Sequence, residues 1–332
     1  MYDRTPTIAK ARGGGGREHT DDWRHVTSGS NLERVLESGQ FAVTAEAGPP
    51  KGNVPDVIRT KGQLLQPSCD AVNVTDNQTA VVRLGSLAGC VLLERLGVEP
   101  VLQMVVRDRN RLALQSDLLG AAALGIRNVL CLTGDHQQLG NHRMAKGVYD
   151  IDSIQLVQLV RRMRDDHVFA NGEELSGELP LYIGAAANPF AGPADMRVVR
   201  LAKKVKAGAD FIQTQSVFDL QRFASWMGQI RARGLHEQTH ILAGVTPMKS
   251  VGMAKHMRDR VAGLIVPDEL VRRMDRAKEP REEGIRICLE TIGELRQIEG
   301  VHGIHLMAVA WEDVVPRIVQ EAGLMPRPRA AG

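Results

Sequence analysis

Aromatic side chains are scarce in this chain, and strong charge of either sign is missing. Only 4% of the 332 residues are Phe, Trp or Tyr, and the formal net charge is +3. No block of basic residues is interleaved with aromatic ones, which is the pattern typical of nucleic-acid binding. We therefore expect no nucleic-acid partner.

Long apolar segments and metal-ligand spacings are also missing. No apolar run reaches the roughly 18 residues needed to span a bilayer, and the amino-terminal region lacks the apolar core of a secretion signal. The cysteines are scattered without a CxxC pair, which fits a reducing cytoplasm and gives no zinc-site spacing. They are Cys69, Cys90, Cys131 and Cys288. We expect a cytoplasmic protein with no membrane contact and no bound metal.

The first 28 residues differ in character from the rest of the chain. They are polar and irregular, and they include four consecutive glycines, Gly13 to Gly16. A phosphate-binding glycine loop needs a strand before it and a helix after it, and neither is visible here. The sequence predicts a flexible arm over residues 1–28 and one folded domain over residues 29–332.

Short apolar runs alternate with longer amphipathic ones through the folded part. The predicted strands cover residues 41–47, 71–76, 101–107, 128–134, 181–188, 211–217, 240–246 and 303–310. Helical spacing fills the segments between them, as in "EEGIRICLETIGELRQI" from Glu282 to Ile298. Most of these helices end at a glycine typical of a C-cap. Those glycines are Gly97, Gly125, Gly208, Gly234 and Gly323.

Eight strands, most of them followed by helices, predict an α/β fold of the (β/α)8 TIM-barrel type in a single domain. An open, doubly wound parallel sheet is the alternative, because alternation alone does not distinguish a closed sheet from an open one. In a barrel, the catalytic groups lie at the carboxyl ends of the strands. This rule directs attention to the polar residues at those ends.

One carboxylate lies within the apolar run "FAVTAEAGPP" at the end of the first predicted strand. Glu46 is followed by a Gly-Pro-Pro stop and is not a preferred helix cap. A buried and unpaired carboxylate is costly and tends to stay protonated. Its pKa would have to rise from about 4.3 toward roughly 6 to 7 for proton donation near neutral pH. Glu46 is therefore a candidate proton donor.

Other polar residues at strand ends admit two interpretations. Gln215, like Glu46, lies in an apolar run and is hard to explain as a cap. Asp76, Asp108 and Asn188 suit a cap or turn as well as a site, since Asx residues are favoured in both roles. Asp135 could be a plain loop residue.

Charged side chains elsewhere in the chain also have a simple structural explanation. Lys203 and Lys204 lie on a predicted helix, where lysines are usually solvated, and phosphate pairing is the functional alternative. The histidine pairs His236/His240 and His302/His305 have loose metal spacing without nearby acidic ligands, so ordinary structural histidines are expected.

Several motifs occur in one order along residues 35–326. They are "TAEAGPPKG", "AVNVTDN", "RDRNRLALQSDLLGAAALGIRNVLCLTGD", "GAAANP", "KKVKAGADFIQTQSVFD" and "ILAGVTPMKS". Together they resemble the methylenetetrahydrofolate reductase family, and the third is similar to the branch often fused to homocysteine methyltransferase domains. The resemblance implies a TIM barrel that binds FAD and reduces 5,10-methylenetetrahydrofolate to 5-methyltetrahydrofolate. It implies electrons from NAD(P)H or a partner subunit, and a homo-oligomer or hetero-complex.

The resemblance also implies roles for individual residues. Glu46 matches the general acid of the family, and Gln215 matches a glutamine that contacts the folate. Asp135 matches an aspartate placed near both flavin and pterin. The implied flavin-binding set, which includes Asp135, is Thr75, Gln103, Thr133, Gly134, Tyr149, Asn188, Lys203 and Lys204. Of these, Lys204 matches a lysine associated with the FAD phosphates.

Four positions depart from the family pattern. Gln103 stands where many members have a flavin-contacting histidine, and Gly252 where an aromatic stacks on the nicotinamide. Trp311 replaces a substrate-contacting arginine, and Met307 replaces a tyrosine that touches the flavin. The folate-binding core is retained in the sequence, whereas the electron-donor contacts are altered.

Three rival functions follow from the same residues. A barrel lyase using a lysine Schiff base needs a lysine within a strand, and the predicted strands contain none. A zinc-dependent homocysteine methyltransferase needs a cysteine cluster, which is missing. A non-catalytic folate- or flavin-binding subunit of a larger one-carbon complex is the remaining alternative.

Overall fold

Eight parallel strands pair in sequence order, and the last returns to the first to close a barrel. The structure, a computed structural model, describes residues 28–328. The strands are β1 Ala42–Ala47, β2 Ala71–Val74, β3 Pro100–Val105, β4 Asn128–Leu132, β5 Tyr182–Ala187, β6 Phe211–Ser216, β7 His240–Val245 and β8 Val301–Leu306. The closed barrel confirms the TIM-barrel prediction and rules out the open, doubly wound sheet.

Helices surround the barrel and connect its strands. Those of the described chain are α1 Asn31–Glu37, α2 Pro55–Leu65, α3 Ser86–Glu94, α4 Arg111–Ala123, α5 Ser153–Arg161, α6 Ala194–Ala207, α7 Leu220–Arg231, α8 Val251–Arg260, α9 Asp268–Arg276, α10 Pro280–Leu295 and α11 Val315–Glu321. Within residues 28–328, every helix is too short or too polar to cross a bilayer. The predicted arm over residues 1–28 lies outside the described residues except for Ser28, so that boundary stays a prediction.

Element boundaries differ from the predictions mainly at the strand ends. Most strands end one or two residues early, and β8 is displaced, running from Val301 rather than from residue 303. All five predicted glycine caps have positive φ angles, between 62° and 109°. At Gly208, the C-cap of α6, a Cβ would lie 2.4 Å from Cδ of Arg161, so glycine is required there for space as well as for conformation.

The amino end of the barrel is closed by an apolar plug. Helix α1 places Leu32, Val35 and Leu36 in one buried cluster with inward-facing strand residues. Tyr182 and Phe211 stack within that cluster, with their ring centroids 5.2 Å apart. This apolar packing excludes water from the lower half of the barrel, so polar chemistry is confined to the carboxyl end.

A layer of polar side chains lies above the plug, inside the barrel. Gln213 donates to the hydroxyl of Thr44 at 3.1 Å and accepts from Asn73 at 2.7 Å. The Thr44 hydroxyl also contacts Nδ1 of His305 at 2.9 Å. Each of the four residues is at most 3% exposed. We call Thr44, Asn73, Gln213 and His305 the polar layer; it forms the floor of the candidate site.

Candidate active site

Glu46 is the penultimate residue of β1 and faces the interior at the carboxyl end of the barrel. Side chains alternate along a strand, so Thr44 and Glu46 point inward while Ala45 and Ala47 pack outward in the main core. The strand stops at Gly48, and the following Pro49 and Pro50 cannot continue a hydrogen-bonded ladder. The apolar run therefore delivers one carboxylate to the barrel mouth.

Burial dominates the electrostatics of this carboxyl group. The Glu46 side chain is 23% exposed, and desolvation raises its pKa to about 7. That value includes a smaller rise caused by the nearby carboxylate of Glu312, and a hydrogen bond from Gln103 and the charge of Lys61 oppose the rise. The Gln103 amide lies 3.4 Å from Glu46 Oε2. Near neutral pH the group can therefore exist in both protonation states, which general acid catalysis requires.

The polar layer beneath Glu46 is held in a neutral state. Nε2 of His305 lies 3.9 Å from Glu46 Oε2, and full burial lowers the pKa of this histidine to about 3. An imidazole that stays neutral supplies no cation to hold Glu46 ionised. Sequence reasoning missed this neighbour, because His305 was expected to be an ordinary structural histidine without nearby acidic ligands. Strand register alone reveals it: β8 pairs with β1 so that His305 lies opposite Thr44.

Asp135 lies on the loop after β4 and is exposed. Its Oδ2 accepts a hydrogen bond from the Thr79 amide at 2.9 Å, which links it to the loop after β2. Gly134 before it has φ of +85°, and a Cβ there would lie 3.0 Å from Cβ of Val105. The "TGD" turn thus needs its glycine to bring the aspartate over the mouth.

Arg107 ties these loops together beneath the surface. Its guanidinium donates to the carbonyls of Asp135 at 3.0 Å and Asn77 at 3.3 Å, and it is paired with Asp108 at 2.7 Å. The residue is only 2% exposed. Asp108 therefore serves as a counter-ion to Arg107, a role that sequence reasoning, which weighed a cap or turn against a site, did not predict. Asp76 is structural as well: its carboxylate accepts from the Val105 amide at 3.0 Å.

A cavity of about 220 Å³ opens beside the mouth, between the ends of β4 and β5 and helices α5 and α6. It is lined by Cys131, Leu132, Thr133, Ser153, Ala186, Ala187, Asn188, Arg197, Arg200, Leu201, Lys204 and Gln215. Three of these residues carry positive charge, and none is a carboxylate. The cavity is therefore suited to an anionic group.

Lys204 is the most buried cation of this cavity, at 9% exposure. Its ammonium donates to the carbonyl of Ala186. Desolvation, with a smaller contribution from the charge of Arg200, lowers its pKa to about 8. Arg197 instead donates to the carbonyls of Ala191 and Gly192, at 2.7 and 2.5 Å, and so braces the loop after β5.

The cavity gathers four of the residues singled out from the sequence: Thr133, Asn188, Lys204 and Gln215. The hydroxyl of Thr133 donates to that of Ser153 at 3.1 Å. The Asn188 side chain accepts from the amides of Phe190 and Ala191, so it also makes the turn that sequence reasoning had allowed.

Besides Glu46, Gln103, Gly134 and Asp135, three singled-out residues lie outside the lining of the cavity. Lys203 is exposed on the solvent side of α6. The buried hydroxyl of Thr75 donates to the side chain of Gln78, and Tyr149 packs against the main core, where burial raises its pKa. The locations of these three residues do not test whether they bind the flavin, so their assignments stay predictions.

The departures from the family pattern lie around the same end of the barrel. Gly252 is exposed in the first turn of α8. Met307 follows β8, and its amide donates to the Val245 carbonyl at 2.9 Å. Trp311 is half-buried against the core. Among these four residues, only Gln103 has a side chain with a hydrogen-bond partner, which is the carboxylate of Glu46.

Two features bear on the rival functions. None of the eight barrel strands contains a lysine, so these strands lack the residue that a Schiff-base lyase needs. Residues 28–328 contain no group of three or more His, Cys, Asp or Glu side chains arranged to hold a metal ion. The rings of His240 and His302 pack edge to face at the amino end of the barrel, with their centroids 5.0 Å apart.

Known proteins resemble this chain over nearly all of the barrel. Residues 31–323 match the family described as Methylenetetrahydrofolate reductase. Methylenetetrahydrofolate reductase 2 of Schizosaccharomyces pombe is 28% identical over 246 residues, covering 68% of this chain and 36% of the relative. Probable methylenetetrahydrofolate reductase (NADPH) of Caenorhabditis elegans is 23% identical over 312 residues, covering 88% and 44%. The chain thus spans less than half the length of these relatives.

A solved structure shares the fold. It is an uncharacterized protein from Clostridium thermocellum, described as binding two copies of 5-methyl-5,6,7,8-tetrahydrofolic acid. The two chains superpose with a TM-score of 0.63 at 13% identity, over 89% of this chain and all of the other. At that identity the likeness concerns the arrangement of the barrel.

Proposed function

Because the chain belongs to the methylenetetrahydrofolate reductase family, we propose that it reduces 5,10-methylenetetrahydrofolate to 5-methyltetrahydrofolate with the help of a bound flavin. The observation that carries the proposal is Glu46, a carboxyl group with a pKa of about 7 at the barrel mouth. The names of the yeast and nematode relatives support the reaction. The folate bound by the Clostridium thermocellum protein supports the substrate class.

Glu46 would deliver the proton that the reaction needs. Opening the five-membered ring of the substrate breaks a carbon–nitrogen bond, and the departing N10 must gain a proton. An acid whose pKa lies near the working pH serves best, since it is protonated in a large fraction of molecules and still transfers its proton readily. The neutral polar layer supports this role because it adds no positive charge beneath the carboxyl group.

Asp135 and Gln215 would bind and orient the folate. Oδ2 of Asp135 is held by the Thr79 amide, while Oδ1 has no partner among the described residues and is available to a pterin N–H. Gln215 lies on β6 with its side chain exposed at the edge of the cavity. Holding the substrate in one pose lowers the entropic part of the barrier.

The cavity fits the phosphate portion of FAD. Lys204 is a buried ammonium whose hydrogen-bond acceptor is a carbonyl rather than a carboxylate, so an anion would relieve its desolvation. Arg200 adds a second positive charge, and Thr133 and Asn188 add polar groups. A bound reduced flavin supplies the hydride. The predicted contacts that lie outside the cavity lining are Thr75, Gln103, Gly134, Asp135, Tyr149 and Lys203.

We propose a reduced nicotinamide as the electron donor, in keeping with the NADPH in the name of the nematode relative. A partner subunit is the alternative, which is favoured by Gly252, at the position where family members stack an aromatic on the nicotinamide. The cytoplasmic location and the homo-oligomer or hetero-complex stay predictions.

The test is to purify the full chain, record its flavin absorbance and add NADH, NADPH or dithionite without oxygen. The bleached flavin should regain its colour when methylenetetrahydrofolate is added. Glu46→Gln should leave bleaching by the donor intact and abolish recolouring by the folate. Near-wild-type folate kinetics in that variant would remove Glu46 from the role. A non-catalytic subunit would bind flavin or folate without any folate-linked recolouring.

Two lysines on α6 provide a matched pair of variants for the cofactor site. Lys204→Ala should lower the flavin retained after gel filtration, because it removes the buried cation of the cavity. Lys206→Ala removes an exposed lysine two positions later, outside the cavity lining, and should leave retention unchanged. Equal retention in both variants and the wild type would contradict the assignment of this cavity.

A further inference from the structure

An ion pair without an assigned role lies beside Glu46. Lys61 on α2 and Glu312 in the turn after β8 are joined at 2.5 Å, with side-chain exposures of 25% and 14%. The Lys61 ammonium also donates to the carbonyl of Gly48 at 3.2 Å. Gly48 is two residues beyond Glu46 on the chain, so the pair is anchored to the exit of the strand that carries the acid.

Few groups around Glu46 carry charge. Gln103 from β3 contacts it with a neutral amide, and His305 from β8 stays neutral at the pH values of interest. The charged groups that act on it are Lys61 from α2 and Glu312 from the turn after β8. The ion pair is therefore the main charged surrounding of the carboxyl group.

The charge of Lys61 is already balanced by Glu312. While Glu46 is protonated, the three side chains carry no net charge. When Glu46 loses its proton, two carboxylates share one ammonium, and the group carries one uncompensated negative charge in a largely buried place. Such a charge is costly, so the ionised state of Glu46 is disfavoured.

We propose that Glu312, by pairing with Lys61, prevents this lysine from stabilising ionised Glu46, so that Glu46 remains protonated at the pH at which it must deliver its proton. Lys61 and Glu312 are then positioning residues, which act on the substrate only through Glu46. This inference rests on the proposed function for its purpose, although the effect on Glu46 is measurable without turnover.

A plainer role would be to tie α2 to the turn after β8. Partly exposed ion pairs usually contribute little stability. An ion pair that only holds two segments together would not shift the pKa of a neighbouring acid in a particular direction. Removing either partner would then loosen the same contact in the same way. The charge-balance role predicts effects of opposite sign, and this difference decides between the two.

The decisive variants are Glu312→Gln and Lys61→Met. Glu312→Gln frees the ammonium to stabilise ionised Glu46, so the pKa of Glu46 should fall by about 1 unit, as for a carboxylate that gains a nearby cation. Lys61→Met leaves two carboxylates together, so the pKa of Glu46 should rise by about 1 unit. The double variant should return close to the wild-type value.

The titration is read from stability rather than from activity. In each background, the unfolding free energy is measured with and without Glu46→Gln over a range of pH, and the pH dependence of the difference reports the Glu46 pKa. Lys255→Met is the matched control, since it breaks the exposed Lys255–Asp275 pair on α8 and α9 and should not move the titration. Lys61→Arg retains the charge and should keep the titration near its wild-type position.

Opposite shifts in the two single variants support the proposal. Shifts of the same sign, or no shift in Glu312→Gln and Lys61→Met, overturn it. If Lys61→Met does not fold, a Glu312→Gln titration at or above the wild-type pKa overturns it alone, and a lower one supports it. If the two single variants shift the Glu46 pKa in opposite directions but the wild-type chain shows no folate-linked turnover, the proposed function is overturned. The effect of the ion pair on Glu46 is then established all the same.

Discussion

Replacing Glu46 by glutamine should stabilise the folded protein, and by an amount that grows with pH. Glutamine retains the shape and hydrogen-bonding capacity of the protonated carboxyl but has no proton to lose. Folding raises the pKa of Glu46 from 4.5 to about 7, because the barrel mouth desolvates the carboxylate. At pH values above the unfolded pKa of 4.5, the wild-type protein therefore loses folding stability that the variant retains.

The sign follows from the protons bound in each state. Between pH 4.5 and 7, folded Glu46 retains a proton that the unfolded chain has lost, so the stability contributed by this group is present at low pH and lost as pH rises. Each unit of pKa difference corresponds to about 1.4 kcal/mol, so the full cost is about 3 kcal/mol. Between pH 5 and pH 8, the advantage of Glu46→Gln should grow by about 2.5 kcal/mol.

Chemical denaturation of both proteins at several pH values measures this difference. His305 does not complicate it, because the histidine is present in both proteins and stays neutral when folded over this range. Glu299→Gln serves as the control, since its carboxylate is 78% exposed and its replacement should give no comparable growth with pH. A Glu46→Gln advantage that is the same at pH 5 and pH 8 would refute a raised pKa at this position.

Three further predictions concern other parts of the barrel. Pyrophosphate binding, followed by calorimetry, should weaken as pH rises above about 8, where Lys204 loses its proton, and Lys204→Ala should remove that dependence. Arg107→Met should cost about 2 kcal/mol in denaturation and speed amide exchange in the loop after β4, since two carbonyls lose their buried donor; unchanged exchange would contradict this. In α10, Gly284→Ala would place a Cβ 1.8 Å from the Met248 carbonyl and should cost roughly 3 kcal/mol, whereas Gly293→Ala, in open space, should stabilise by about 0.5–1 kcal/mol.

Local patterns in the sequence were sufficient for the alternation of strands and helices, whereas closure into a barrel was settled by the structure. Strands buried on both faces read as apolar runs, and helices ended at glycines that adopt positive φ, because both signals depend on neighbours within a few residues. The displaced start of β8 is the main error in the strands. Its first residues, Val301 and His302, are only half-buried, and the apolar run used to place the strand continues past its end.

The choice between Lys203 and Lys204 shows where local reasoning ends. The two residues are adjacent in sequence and equally basic, but one step along a helix turns a side chain by about 100°. Lys204 consequently enters the cavity at 9% exposure, while Lys203 faces solvent. The phase of α6 relative to the barrel decides this, and that phase depends on packing against β5 and the neighbouring helices α5 and α7.

By itself, the sequence determined the alternation of strands and helices, and it placed a lone carboxylate at a strand end. The tertiary structure decided what surrounds that carboxylate. His305 reaches it because closure of the barrel sets β8 beside β1, and the Lys61–Glu312 pair joins positions 251 residues apart. Such partners leave no periodic trace in the chain, since their contact depends on strand register and on the closure of all eight strands.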